Sequence, residues 1–288
     1  MDAEQLVIAI KDSEQQIEKN VEQLKRLESQ LNDLLSCNDK DDAAALVIPA
    51  CETEAENTRE WERLAKEQEQ TLIASKYSLN KCEEHLRYLP SQCASYVGIH
   101  ENTQLIRVGD MEPKLVACMN VDNELYMIVQ RRSDGSVNFN RSWTEYREGF
   151  GDLNGEFFIG LNMLHQLTMR RQHKLLILLT DENNWSLKAR YNNFVVGGES
   201  KGYELKELGT FDGNVGDALS YNKGMKFSTY DNDNDKIRKN CGSTYNGWWH
   251  NQCTYCNLNG NYPEHIFWLY RNYRYALKTV VMLIRPVK

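Results

Sequence analysis

The chain has 288 residues and a formal net charge of −7, from 34 Lys+Arg and 41 Asp+Glu. That length allows one or two domains with a substantial core. The charge excludes a nucleic-acid binder working through a basic surface. No run of about 18 apolar residues is available to span a membrane.

Composition changes sharply near residue 90. The first ninety residues hold no glycine and three aromatics, Trp61, Tyr77 and Tyr88; all 17 glycines follow. Charge divides at the same place: residues 1–90 carry 11 Lys+Arg and 20 Asp+Glu, and the remainder carries 23 and 21. An acidic helical region, 1–90, therefore precedes a globular one, 91–288. Its acidity reads as a solvated helix surface.

The opening MDAEQLVIAIKDSEQQ does not read as a secretory signal, because its apolar run, Leu6 to Ile10, is short and follows acids. Ile10, Ile17, Leu24 and Leu31 recur every seven residues, with Leu6, Ser13, Asn20, Leu27 and Leu34 at the companion positions. This spacing predicts a coiled-coil seam and self-association. Residues 36–52, with clustered Asp and Pro49, interrupt it. A second, weaker seam runs through Ala65, Leu72, Leu79 and Leu86, with Gln68, Ser75 and Cys82 as companions, and Pro90 ends it.

From Cys93 onward the chain reads as β-rich. ELYMIVQ, KLLILLT, WSLKARY and ALKTVVMLI are apolar or alternating runs separated by Gly, Asn and Asp clusters. The continuity of KLLILLT predicts a strand buried on both faces. Short helices are expected at Ser142–Glu148 and around Gly160–Leu167.

The segment from Asp231 to Gly260, DNDNDKIRKNCGSTYNGWWHNQCTYCNLNG, concentrates unusual chemistry. Its alternating Asp residues suit calcium, which takes several oxygen ligands. An EF-hand fails, since Lys236 stands where Gly is required and Gly242 where Glu is required. The bland alternative is a solvated Asx-rich turn. A disulfide between Cys241 and Cys253 would close a small loop at its exit. The rival is zinc or redox chemistry at Cys241, Cys253 and Cys256 with His250 or His265. Of the adjacent Trp248 and Trp249, one is expected inward and the other at a surface or turn, because neighbours on an extended backbone point oppositely. Aromatics close in sequence here, Trp248, Trp249, Tyr245, Tyr255 and Tyr262, read first as core; the other reading is the wall of a sugar or acetyl pocket.

No catalytic arrangement stands out: there is no GxSxG elbow, P-loop or GxGxxG. His85, His165 and His173 read as structural or exposed. Asn140 and Asn184 begin glycosylation sequons, meaningful for a secreted chain.

QRRSDGSVNFNRSWTEYREGFGDLNGEFFIGLNMLHQLT, FSTYDNDND, NGWWHNQC, NLNG and the closing MLIRP resemble, in order, the fibrinogen-like domain of fibrinogen, ficolins, tachylectins and angiopoietins. The resemblance covers Cys93 to Lys288. It implies an α+β fold, with coiled-coil helices before a mainly antiparallel sheet and an irregular calcium and ligand-binding subdomain. It also implies Cys93–Cys118 and Cys241–Cys253 disulfides, and calcium held by Asp233 and Asp235 with the carbonyls of Ile237 and Lys239. A ligand pocket at Tyr245, Gln252, Cys253 and Thr254 follows, with a cis peptide between Gln252 and Cys253.

This sequence departs from the pattern in three places. Thr254 replaces a common His, Cys256 replaces a Ser-like residue, and the segment PEHIF after Tyr262 is about eight residues shorter than in acetyl-binding relatives. The expectation is a secreted, non-enzymatic recognition protein that binds glycans or acetylated groups with calcium. Its heads would sit on a coiled-coil stalk, cross-linked by Cys37, Cys51 or Cys82 and acting through avidity. The alternative is a protein-binding ligand of a cell-surface receptor or the extracellular matrix. Neither nucleic acid nor a membrane span enters either reading.

Overall fold

In the computed structural model the described residues are 87–94 and 101–287, preceded by scattered helical positions between 15 and 84. The chain divides into two compact units, Met1–Leu89 and Pro90–Lys288. In the first, residues 69–77 are helical, and within them Leu72 and Ser75, both seam positions, are half-buried while the rest are exposed. The other seam residues, the interruption at 36–52, His85 and Cys37, Cys51 and Cys82 lie outside the described residues.

The second unit is built on one antiparallel sheet. Strands β1 (Glu101–Ile106), β2 (Lys114–Val121) and β3 (Glu124–Arg132) form a meander. Two-residue strands β4 (Phe150–Gly151) and β5 (Phe157–Phe158) attach to β3. Strands β6 (His173–Asp181) and β7 (Ser186–Val196) form a hairpin, extended by β8 (Leu205–Leu208) and β9 (Phe211–Gly213). After β10 (Cys256–Asn257) and β11 (Phe267–Tyr270), the 14-residue β12 (Tyr273–Pro286) inserts between β3 and β6. The sheet order is therefore β1-β2-β3-β12-β6-β7-β8. The last strand closes the centre, so the fold is complete only when the whole unit has been made.

The four expected strand runs fall on β3, β6, β7 and β12. KLLILLT is buried on both faces, as Leu175, Leu176, Ile177 and Leu179 show. Helix α1 (Trp143–Glu148) starts in a capping box, in which Ser142 caps the Glu145 N–H and the Glu145 side chain returns to the Ser142 N–H. Helix α2 (Leu161–Arg170) buries Leu161, Met163, Leu164 and Leu167. It docks on β7 through Thr168, whose hydroxyl accepts from the Val196 N–H at 3.0 Å.

One buried ion pair joins the sheet to the loops. Arg132 meets Glu156 at 3.3 Å, both side chains being almost fully buried. The Glu156 carboxylate accepts from the backbone N–H groups of Ser133, Asp134, Gly135 and Val137. Burial alone would raise its pKa, but these donors and Arg132 hold it below the ordinary value. Arg132 also donates to the carbonyl of Gly260 at 2.7 Å, so β3 directly fixes the end of the NLNG turn.

Candidate functional site

The loop 230–240 is held by its side chains rather than by regular structure. The Asp231 carboxylate accepts from the Trp143 N–H at 2.9 Å and from the Thr229 hydroxyl at 2.7 Å, tying the loop to the first turn of α1. The Asn234 side chain donates to the carbonyl of Phe227 at 2.9 Å and to the Asn232 amide oxygen at 3.2 Å, and its backbone N–H donates to the Ser228 hydroxyl at 3.0 Å. Asn240 caps α3 (Cys241–Tyr245) by accepting from the Ser243 N–H, and donates to the carbonyls of Thr229 and Tyr230. Gly242 is required because a Cβ would collide with the Thr229 backbone.

Within this frame the two carboxylates expected to bind calcium face each other. Asp235 accepts from the Ile237 N–H at 2.8 Å and the Cys241 N–H at 2.7 Å. Asp233 accepts from the Asp235 N–H at 3.1 Å. Burial, and then the neighbouring charge of Asp235, raise the Asp233 pKa. Neither forms an ion pair among the described residues. Two carboxylates on one tight turn, held by backbone N–H groups and without an ion-pair partner among the described residues, fit a hard cation such as calcium. Ile237 and Lys239 are exposed at the same turn, and Lys239 needs no positive φ there.

Cys241 and Cys253 are disulfide-bonded, as are Cys93 and Cys118. This removes two thiols from the zinc or redox reading, and no group of three His, Cys, Asp or Glu side chains capable of holding a metal occurs among the described residues. Cys256 is free and buried, and burial pushes its thiol pKa up, so it is not a reactive thiolate.

Two local expectations are corrected. The Gln252–Cys253 peptide is trans; the cis bond among the described residues is Tyr262–Pro263. The chain reverses instead with Cys253 at φ 42°, and the Asn251 N–H donates to the Cys253 carbonyl at 2.7 Å. Trp248 and Trp249 are both fully buried, not one. The backbone there runs through the core with material on both sides. The Trp249 indole N–H donates to the Tyr203 carbonyl at 2.7 Å and its ring meets Phe227 edge-on, while Trp248 pairs with Ser228 through the backbone.

The expected pocket residues come together only in part. Tyr245 is half-buried, with its ring 6.2 Å from His250 and 6.4 Å from Phe267. His250 donates from Nε2 to the Asn246 carbonyl, and its buried Nδ1 has no partner. Burial lowers the His250 pKa to about 4, so the ring is neutral. Gln252 is exposed. Thr254 turns inward: its hydroxyl donates to the Cys256 carbonyl at 2.6 Å and accepts from Asn222 at 3.1 Å. That hydroxyl is committed to holding the turn.

Beside this turn lies a surface the sequence reading passed over. Tyr255 stacks on Tyr221 at 4.0 Å. Its carbonyl accepts from the Leu269 N–H, which leads into the β11–β12 hairpin. The hairpin tip, Tyr270 to Tyr275, holds three tyrosines and two arginines around Asn272. Tyr273 is 55% exposed and packs edge-on against Tyr275. Arg274 lies 4.5 Å over the Phe267 ring and donates to the Glu264 carbonyl, while Arg271 lies over Tyr270. Gly216 lets Tyr270 approach, since a Cβ there would strike its ring. The legible signal was the repeated Tyr and Arg across a two-residue turn. Asn140 and Asn184 are both exposed; the Asn184 side chain accepts from Lys278 at 2.9 Å. His165 and His173 bond the carbonyls of Val196 and Arg171, in structural roles.

An antiparallel sheet closed by its last strand, carrying a disulfide-clamped Asx loop, defines the class. The chain belongs to the family of the C-terminal globular domain of fibrinogen beta and gamma chains, whose model matches residues 93–287. It is 36% identical over 203 residues to human angiopoietin-related protein 6, covering 66% of this chain and 42% of that protein. The chain thus spans less than half of that relative's length. Among solved structures, the fibrinogen-like globe domain of human ANGPTL6 matches with TM-score 0.61 and 37% identity, covering 65% of this chain and 90% of that one. Lamprey fibrin D-dimer complexed with the peptide Gly-His-Arg-Pro-amide matches with TM-score 0.61 and 25% identity, covering 83% and 93%.

Proposed function

We propose that the globular unit is a secreted, non-catalytic recognition module that binds a protein partner. The observation that carries this is the exposed tyrosine–arginine hairpin, continuous through Tyr255 with the disulfide-clamped turn. Rigid aromatic and arginine side chains are the residues that dominate protein interfaces. The two disulfides suit an oxidising compartment. A peptide is bound by the lamprey relative, which supports a polypeptide ligand for this fold. Calcium held by Asp233, Asp235 and the carbonyl oxygens of Ile237 and Lys239 would neutralise the paired carboxylates and stiffen the loop that supports α3. Helices in the first unit would gather several heads into an oligomer, raising a weak single-site affinity through avidity.

The test is binding of the oligomer to a cell-surface or matrix protein fraction, comparing the unaltered chain with Tyr273→Ala/Arg274→Ala. A loss of about tenfold or more is expected. Unchanged binding by the folded double variant would sink the reading.

Calcium-dependent binding of acetylated glycans is the second reading, favoured by Tyr245 beside the unpartnered His250 nitrogen. It predicts retention on acetylated resin with calcium and elution by free N-acetyl sugar or chelator. The inward Thr254 hydroxyl argues against it.

A further inference from the structure

Far along the sequence from the Asx loop, a crevice forms where the first residues of the globular unit meet the end of α2 and the end of β12. It has two lobes, of about 330 and 200 Å³, which share Gln92, Arg171, His173 and Pro286 as their common wall. The larger lobe has an apolar floor of Leu125, Met127, Ile284 and Val287. The smaller lies against Val108, Gly109 and Leu167 and adds Arg170. Among the described residues neither lobe is lined by an Asp or Glu.

The cations here are placed rather than adrift. The Arg170 guanidinium lies on Gly109, whose missing Cβ and φ of 59° make the room it occupies. Its Nε donates to the Gln166 amide oxygen at 3.4 Å. Arg171 donates to the Gln92 amide oxygen at 3.2 Å. Both partners are neutral, so among the described residues neither guanidinium is paired with an acid. Arg285, on the larger lobe, is paired with Glu124. His173 donates from Nδ1 to the Arg171 carbonyl at 2.8 Å, which fixes the ring in the shared wall and helps to set the Arg171 backbone.

Part of this arrangement has a simpler use, since two arginines at the end of α2 favour the negative end of the helix dipole. That does not explain a concavity of this size beside them, or the absence of any acid among the described lining residues. Cations over an apolar floor, in a concavity near the lower size of ligand pockets, select a small organic anion.

We propose that this crevice binds a sulfate or phosphate ester, with Arg171 and Arg170 donating to the oxyanion and the apolar floor of the larger lobe receiving the body that carries it. The site lies outside the Asx loop and the tyrosine–arginine hairpin, and stands independently of the reading given for them.

The experiment titrates the full chain with p-nitrophenyl sulfate and p-nitrophenyl phosphate by calorimetry, using p-nitrophenol as the neutral comparator. The unaltered chain should bind one or both esters saturably, and the preferred ester identifies the source of the anion. Arg171→Gln should weaken that binding about tenfold or more while leaving the thermal midpoint close to that of the parent, because its side chain is exposed. Arg170→Gln, read separately, guards against misfolding of the first variant and should weaken binding in the same direction. Absence of saturable ester binding, equal binding of the neutral phenol, or ester affinity unchanged in both folded variants would overturn the proposal.

Discussion

The sheet and the loop-rich half of the globular unit are held together by different means. In the sheet, β3, β12 and β6 satisfy one another's backbone groups, and the buried side chains are mainly apolar. Between Asn222 and Asn259 the backbone has little regular structure, yet Asn222, Ser228, Thr229, Asn246, His250, Asn257 and Asn259 are all buried. Their side chains replace the missing ladder: Asn222 donates to the Trp249 carbonyl, Asn246 to that of Asn259, Asn257 to that of His265, and Asn259 to that of Gly247. A sheet tolerates apolar exchange of similar volume. A core built of side-chain-to-backbone bonds leaves a polar group orphaned whenever one partner goes. The Asx loop and the disulfide-clamped turn therefore rest on the more specific and more brittle half.

The sharpest way to break this comparison is at the link between the halves. Arg132→Met removes the donor to Gly260 and leaves Glu156 buried without its cation. A cost of about 3–5 kcal/mol is expected. Urea unfolding followed both by tryptophan fluorescence and by far-ultraviolet dichroism should still give coincident transitions. A loop half that melts first, with the sheet intact, would show that the two are held separately.

Removing the Cys241–Cys253 disulfide by a double Ser exchange opens a short loop and should cost about 3 kcal/mol. Hydrogen exchange should rise across residues 231–256 and stay unchanged in β6 and β12. Uniform loss of protection would contradict a local role.

Acid gives a related test. His250 titrates at about 4 in the fold against an ordinary 6.5, because burial disfavours its charged form. The unfolded chain takes the proton first. Stability from this group is therefore full above about pH 6.5 and lost as pH falls from there towards 4, by about 3 kcal/mol in total. Carboxylates titrate over the lower part of the same range, so the readout is the difference between the parent and His250→Leu. That variant should show a flatter decline. Parallel curves would remove His250 from the account.

Calcium should add about 2.7 kcal/mol at a concentration a hundredfold above its dissociation constant. Chelator should lower the thermal midpoint of the parent and leave Asp233→Asn/Asp235→Asn unmoved. A variant that still responds places the ion elsewhere.

These contrasts also explain what the sequence disclosed. β6 was legible because KLLILLT is apolar throughout, and α1 because Ser142 and Glu145 carry its cap locally. Two members of the weaker seam, Leu72 and Ser75, are the half-buried positions of their helical stretch. Trp248 and Trp249 misled, because a rule for alternating faces assumes that one face meets solvent. Thr254 misled for a related reason, since its partner Asn222 lies 32 positions away. Periodicity reports neighbours along an element, whereas the loop half is specified by pairs of distant polar residues that leave no period.

The smallest expected effect tests that point most directly. Asp231 belongs to the Asx run that first suggested metal binding, yet its carboxylate serves the Trp143 N–H at the start of α1 and the Thr229 hydroxyl. Asp231→Ala should therefore act as loss of a helix cap, costing about 1 kcal/mol. The Ser142 box remains in place, so α1 should persist with a frayed first turn. Calcium affinity should change little, because the facing carboxylates are those of Asp233 and Asp235. If Asp231→Ala instead abolishes calcium binding without altering exchange at Trp143, the loop is organised around the ion, and its bond to the helix is incidental.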